Sequence, residues 1–327
     1  MKGTKLLRYA FLRVLRALPT LCGIVLLNFL LIQLAPGDVA EVLAGEAGGA
    51  PPEYVQQLRE RMGLDRPLPV RLALYAKSVV SLDLGFSFRN NAKVADLIAE
   101  RFLPTLLLMG SAFVLSVLLG VALGVVTSRD VNSVRGDLIS ALIVIAYATP
   151  LFWVGLMLLL VFSVWLGWFP AAGMENVIAF HTGWRRVLDI AHHLVLPSMT
   201  LALYYTAMYA RLMRTTMLEQ QEQDYVITAR AKGLGESAIT VRHVFPNAVL
   251  PVVTMAGIQC GALLGGSVVV ETVFAWPGLG TLAYQALFSR DLNLLLAVFL
   301  MCAVTVVVVN ILVDVTYMLI DPRIVVS

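Results

Sequence analysis

The sequence predicts an all-α integral membrane protein: six transmembrane helices, a small helical extracytoplasmic cap and a short polar helix on the cytoplasmic side. Three observations carry this. Of 327 residues 59% are hydrophobic and only 14% charged, against roughly 45–50% and about 25% in soluble domains. Mean hydropathy is +0.83. The apolar residues come in long runs rather than in alternation, which selects spanning helices over barrel strands. A disordered chain is excluded by the low charge, and a disulfide scaffold by the presence of only three cysteines.

A hydrocarbon core of about 30 Å needs about 20 helical residues. Runs that satisfy this lie near 10–34, 103–127, 138–168, 194–213, 250–274 and 292–320. The third is too long for one perpendicular span and too short for two. Pro150 in its middle predicts a single tilted, kinked helix, with Trp165–Phe169 at the interface that tryptophan favours. An even number of spans puts both termini on one side. Lys2, Lys5, Arg8, Arg13 and Arg16, with no acidic residue among them, assign that side to the cytoplasm. The apolar stretch Leu18–Ala35 is too long for a signal-peptide core and lacks a clean small-x-small site after it, so it reads as an uncleaved first span. The net charge of +3 is spread over loops as a topology signal and marks no nucleic-acid face. Cys22, Cys260 and Cys302 each sit inside an apolar run and read as small buried side chains.

The chain thus divides into a cytoplasmic amino terminus with the first span (1–35), an extracytoplasmic loop (36–102) and a five-helix core (103–327). In the loop, Gly45–Pro52 reads as a linker. Val55, Leu58 and Met62, and then Val94, Leu97, Ile98 and Phe102, recur at helical spacing, which predicts helices of a cap that either packs on the bundle or docks a soluble partner. Within the core, 214–249 is polar enough to leave the membrane yet tethered at both ends by spans. Thr228, Ala229 and Ala231 let another surface approach closely, and Gly233 ends a helix and turns the chain.

Ionisable groups inside spans are costly and draw attention. Asp314, with Asn310 one turn earlier, reads either as an interhelical hydrogen-bonded staple or as lining a pathway. Glu271 closes the fifth span before a Pro277-Gly278 turn, a position suited to loop structure or to meeting a solute at the outer mouth. Phe274 and Trp276 lie in the same turn. Gly257, Gly261, Gly265 and Gly266 permit close helix packing. His192 and His193, being adjacent, point to different helix faces and do not make a metal site. No spacing of nucleophile, paired carboxylates or HExxH supports an intramembrane enzyme, and the uncharged spans argue against a secondary transporter.

The segment Asp224-Tyr225-Val226-x-Thr228-Ala229-Arg230-Ala231-Lys232-Gly233-Leu234, with Pro246 thirteen residues after the glycine and Asn247-Ala248-x-Leu250-Pro251 beyond, resembles the EAA loop of binding-protein-dependent ABC importer permeases, in the dipeptide, oligopeptide and nickel branch. Pro36-Gly37-Asp38, Gly63-Leu64-Asp65-Arg66-Pro67-Leu68, Leu84-Gly85-x-Ser87, Pro104-Thr105-Leu106, the run from Glu271 to Gly280 and Asp321-Pro322-Arg323 agree in order, so the resemblance covers nearly the whole chain. Ile227 stands where the loop's naming glutamate falls. The larger outer loop is similar to that of one particular member of the permease pair.

The resemblance implies a bacterial inner-membrane subunit forming half of a heterodimeric pore for di- or oligopeptides, with nickel or another small solute as the alternative cargo. It implies a second homologous permease, two cytoplasmic ABC ATPases and an extracytoplasmic binding protein as partners, besides membrane lipid and without nucleic acid. Residues 219–236 would be the coupling helix, with Asp224, Tyr225, Thr228, Ala229, Arg230, Ala231, Lys232, Gly233, Leu234 and Pro246 as the coupling set; Arg230 and Lys232 would meet either the ATPase groove or anionic headgroups. The pathway candidates are Glu271, Phe274, Trp276, Asn310 and Asp314. The chain contains no Gly-Lys dipeptide and hence no phosphate-cradling GxxxxGK[ST] loop. ATP and Mg therefore belong to the partner subunits, and this chain is expected to bind no cofactor or metal and to be no enzyme.

Overall fold

The computed structural model describes residues 2–34, 66–87, 89–129 and 133–320, together with Pro51, Glu53, Val55 and Gln56; for 2–12 and 314–320 it describes backbone alone. Of the helix expected from the spacing of Val55, Leu58 and Met62, only Val55 falls among the described residues. The elements are α1 (Lys2–Leu34), α2 (Leu68–Val80), a two-residue hairpin of β1 (Phe86–Ser87) and β2 (Ala92–Lys93), α3 (Val94–Arg129), α4 (Val134–Ala148), α5 (Leu151–Leu158) continued by a π-helical stretch to Trp165, α6 (Trp184–Gln221), α7 (Asp224–Ala231), α8 (Glu236–Ile239), a π-helical turn Thr240–Val244, α9 (Phe245–Cys260), α10 (Leu263–Val273), α11 (Leu279–Ser289) and α12 (Leu292–Ile320). Among the described residues five helices are long and apolar enough to cross a bilayer, six when the bent pair α4 and α5 counts as one span. Two compact units are formed, Met1–Leu103 with Gly278–Ser327, and Pro104–Pro277.

In the first unit α1 packs along α12. The buried Asn28 donates from Nδ2 to the Leu296 carbonyl at 2.9 Å, giving a polar side chain in an apolar helix a partner. The hairpin pairs Phe86 with Lys93 and Ser87 with Ala92. Asp291, buried, caps α12 by accepting from the Leu294 amide at 3.0 Å, and the buried Ser87 hydroxyl donates to its other oxygen. Gly85 sits at φ +83°, where a Cβ would fall 2.8 Å from Asn293 Nδ2. Val94 and Ile98 are not part of a separate cap helix. They open α3 and pack with Leu279, Leu282, Leu294 and Val298 in one core.

The second unit is built around α6, against which α4, α5, α9 and α10 pack. Gly120 and Gly124, one turn apart on α3, are where it approaches α6: a Cβ would lie 2.5 Å from Tyr209 Cβ at the first and 2.4 Å from Met213 Cβ at the second. Of the glycines singled out in the fifth span, Gly265 has open space around it, while Gly266 would meet Leu201 at 3.1 Å. The third span departs from a tilted, kinked helix. Thr149 (ψ 135°) and Pro150 (ψ 134°) are both extended, and the helix axis bends by 111° between the two arms. Proline lacks the N–H to continue the ladder and forces its predecessor out of the α region, so the helix stops rather than bends. The fifth span begins earlier than its apolar run and breaks at Gly261 and Ala262 between α9 and α10. Cys22 is exposed, with Cys260 and Cys302 half-buried, so Cys22 is not the buried side chain its apolar run suggested; a bilayer-facing helix has no need to bury its apolar residues in protein.

Candidate functional site

The 214–249 segment is a chain of short elements hung between α6 and α9. The buried Thr216 hydroxyl donates to the Ala248 carbonyl at 2.9 Å and holds the two long helices together at its root. Tyr225 donates to Gln220 Oε1 at 2.7 Å, fixing the start of α7 to the end of α6. Thr228 donates back to the Asp224 carbonyl at 2.9 Å. Before Pro246 the helix widens into the π turn Thr240–Val244, which accommodates a residue with no N–H. Pro246 then occupies the first turn of α9, where a missing donor does no harm.

α7 buries only Val226 and Ala229, three residues apart on one face. Asp224, Tyr225, Thr228, Arg230, Ala231, Lys232, Gly233 and Leu234 are all exposed, and Ile227 stands out at 57%. The helix ends on a Schellman turn: the Gly233 amide donates to Arg230 O at 2.9 Å, the Leu234 amide to Ala229 O at 3.3 Å, and Gly233 adopts φ +80°. Nothing lies within 4 Å of where its Cβ would stand, so glycine is required by backbone conformation and not by space. Arg230 forms a bidentate pair with Glu236, at 2.6 and 3.1 Å, which bridges α7 to α8 and holds the guanidinium pKa above its ordinary value through that hydrogen bond. Lys232 has no ion pair among the described residues.

The turn after α10 is of the opposite character. Glu271 and Trp276 are fully buried, and Phe274 nearly so. Thr105 donates to Glu271 Oε1 at 2.8 Å, the Trp276 indole donates to the Pro104 carbonyl at 2.9 Å, and the Gly173 amide donates to the Phe274 carbonyl at 2.9 Å. The Phe274 ring reaches the space beside Gly155. These three side chains form a packed knot joining α3, the loop before α6 and the end of α10. Asn310 is exposed on α12; Asp314 lies one turn on, its side chain outside the described residues. His192 meets the Trp168 carbonyl at 2.8 Å while His193 turns to the Asp189 carbonyl at 2.9 Å, so the two neighbours do serve different faces.

What reading the sequence did not find is Gly120 and Gly124, whose GxxxG spacing was the available signal, and the engagement of Arg230 by Glu236, six residues on and beyond a turn.

The sequence matches the family described as binding-protein-dependent transport system inner membrane component over residues 116–326, and that family's amino-terminal component over residues 6–109. The chain belongs to this family. A chain of Brucella abortus (strain 2308) that carries the name peptide transport system permease protein is 38% identical over 312 residues, 95% of this chain and 97% of that one. The glutathione transport system permease protein GsiC of Escherichia coli O6:H1 is 38% identical over 319 residues, 98% of this chain and 99% of that one. The inward-facing MetNI methionine ABC transporter is similar in fold, with a TM-score of 0.54 at 18% identity over 69% of this chain and 96% of that chain. Family and apolar helices together make this a multi-pass inner-membrane permease subunit of an ABC importer.

Proposed function

We propose that the chain forms half of a translocation pore for peptides and is driven by cytoplasmic ATPases through α7. The observation that carries this is the surface of α7. A two-turn helix anchored by Val226 and Ala229 leaves its remaining faces, with Tyr225 and Ile227 and with Leu234 in the turn after it, open to solvent, although Tyr225 ties it to the end of α6 and Arg230 to α8. Exposed apolar side chains on a short, braced helix mark a docking surface. In this reading Arg230 braces the surface from within through Glu236, and Lys232 is left to meet the partner. Both termini lie in the cytoplasm, where the ATPases bind ATP and Mg.

ATP-driven closure of the ATPase pair displaces α7 in each permease half, and the long helices α6 and α9 carry that displacement to the bundle. ATP thus biases a two-state assembly in which the solute reaches one side or the other. Peptide is favoured as cargo because the relatives are named for peptide and for glutathione, itself a tripeptide; an extracytoplasmic binding protein delivers it.

The test is affinity purification of the tagged chain from gently solubilised membranes with identification of what accompanies it. A second permease, Walker-motif subunits and a soluble binding protein carrying a peptide are expected. Purification of the chain alone, active in transport without ATP, refutes the reading.

A further inference from the structure

We propose that a pocket at the break of the third span is a subsite for the carboxylate end of the peptide in transit; this rests on the peptide-importer reading above. The pocket measures about 410 Å³ and is lined by Tyr147, Thr149, Pro150, Leu201, Tyr204 and Tyr205 among others, a size within the range of small-ligand sites. Its walls are α4, the extended Thr149-Pro150 step, the start of α5 at Leu151, α6, and α10 at Gly266, all within the second unit.

Three features of this place fit a zwitterionic ligand. The first is the broken backbone. Beyond the Thr149 amide, which donates to Ile145 O at 3.1 Å, α4 ends, and among the described residues the carbonyls of Ala146, Tyr147 and Ala148 accept no backbone hydrogen bond. Non-helical backbone at membrane depth persists where it is covered by protein or lines a wet cavity, and such carbonyls accept from a peptide's N–H groups. The second is the aromatic wall. Tyr147 and Tyr204 stack at 5.2 Å with 18° between planes, and Tyr205 meets Tyr204 edge-on at 5.2 Å. Flat rings with a polar end bind mixed apolar and polar solutes.

The third is Arg211, two turns along α6 from Tyr204 and inside the apolar run 194–213. Its guanidinium carbon lies 5.9 Å from the centre of the Tyr147 ring. It is exposed, and among the described residues no carboxylate lies within ion-pair distance of it. It stands at the cytoplasmic end of the span, three residues before the 214–249 segment, and a guanidinium fork matches a carboxylate in two hydrogen bonds. Arg211 is not itself part of the pocket lining; through its contact with Tyr147, which is, it stands at the pocket's edge, and the peptide's carboxylate is placed there with the body of the peptide along the tyrosines.

The test uses the whole importer in proteoliposomes: both permeases, both ATPases and the binding protein, supplied with a mixture of di- to pentapeptides bearing free carboxylates. Uptake is read by mass spectrometry beside ATP hydrolysis, and p-benzoylphenylalanine at position 148, exposed and in the pocket lining, reports contact by photocrosslinking during turnover. The expected result is peptide crosslinked at 148, with Arg211→Gln lowering both crosslink and uptake at least tenfold while binding-protein-stimulated ATP hydrolysis stays within twofold of wild type; Arg211→Lys keeps an intermediate rate. Normal uptake with no crosslink at 148, a crosslink to lipid alone, or wild-type uptake by Arg211→Gln overturns the subsite and leaves the importer reading standing. No peptide uptake by the wild-type assembly overturns both.

Discussion

Gly233 offers a test in which conformational strain and steric bulk give opposite orders of effect. It holds φ +80°, and a Cβ placed there would meet nothing within 4 Å. Alanine therefore brings no clash in the isolated chain, only the left-handed penalty of about 1–2 kcal/mol for an L residue. That is a factor of about 5–30 in the population of the closed turn. A partner that binds only the closed turn loses apparent affinity by the same factor. Asparagine, which tolerates the left-handed region, loses less despite its larger side chain; valine, branched at Cβ, loses most. The assay is titration of purified ATPase subunits onto the permease pair in lipid nanodiscs, with unfolding followed separately to establish that the bundle is intact. The expected order of affinity is glycine, asparagine, alanine, valine. Alanine binding as tightly as glycine, or more tightly than asparagine, refutes the conformational argument and makes the site one of packing against the partner.

The remaining expectations concern the scaffold. Gly124→Ala pushes a methyl to 2.4 Å from Met213 Cβ and 2.8 Å from the Ala210 carbonyl, an overpacking that destabilises by about 1–3 kcal/mol, whereas Gly110→Ala, with open space, stabilises α3 by about 0.5–1 kcal/mol; thermal unfolding in detergent separates the two. Trp276→Phe removes the indole donor from the Pro104 carbonyl and costs about 1 kcal/mol, and Trp276→Ala costs about 3–5 kcal/mol, read by the same melts. Glu175 is held below the ordinary glutamate range by the hydrogen bond from Arg186. A lowered folded-state pKa contributes stability above the ordinary value and loses it as pH falls through the folded one. The pair is exposed and screened by solvent, so the increment is small, and Glu175→Gln is expected to abolish it in melts run from neutral pH to pH 3.

The apolar runs, a short polar helix between two of them and the turn at Gly233 were legible because their signals are local, but the helix covers only Asp224–Ala231 of the expected 219–236: 219–221 still belong to α6, and Gly233 and Gly235 interrupt the rest. Pro150 announced a kink, and the structure has a break. One proline is compatible with a kink, and the 111° arose because Thr149 and Pro150 both became extended. The surroundings of Glu271 and Trp276 were not legible. Their partners Thr105 and Pro104 lie 166 and 172 residues away, and only tertiary structure turns a residue at the end of a span into a buried one. The grouping of Arg211 with Tyr147 and Tyr204 was hidden for the same reason.

The helix ends also carry information about the order of assembly. α10 and α11 finish on the same kind of turn as α7, but with Ala275 at φ 47° and Arg290 at φ 57°. Each is followed by a residue locked in the interior, Trp276 at 0% and Asp291 at 1% exposure, whereas Gly233 is followed by Leu234 at 38%. A left-handed residue bearing a side chain persists where its surroundings over-determine it. The ends of α10 and α11 therefore close only once the interior around Trp276 and Asp291 has formed. The end of α7 closes on glycine's own preference, so its turn does not wait on the burial of the residue that follows it.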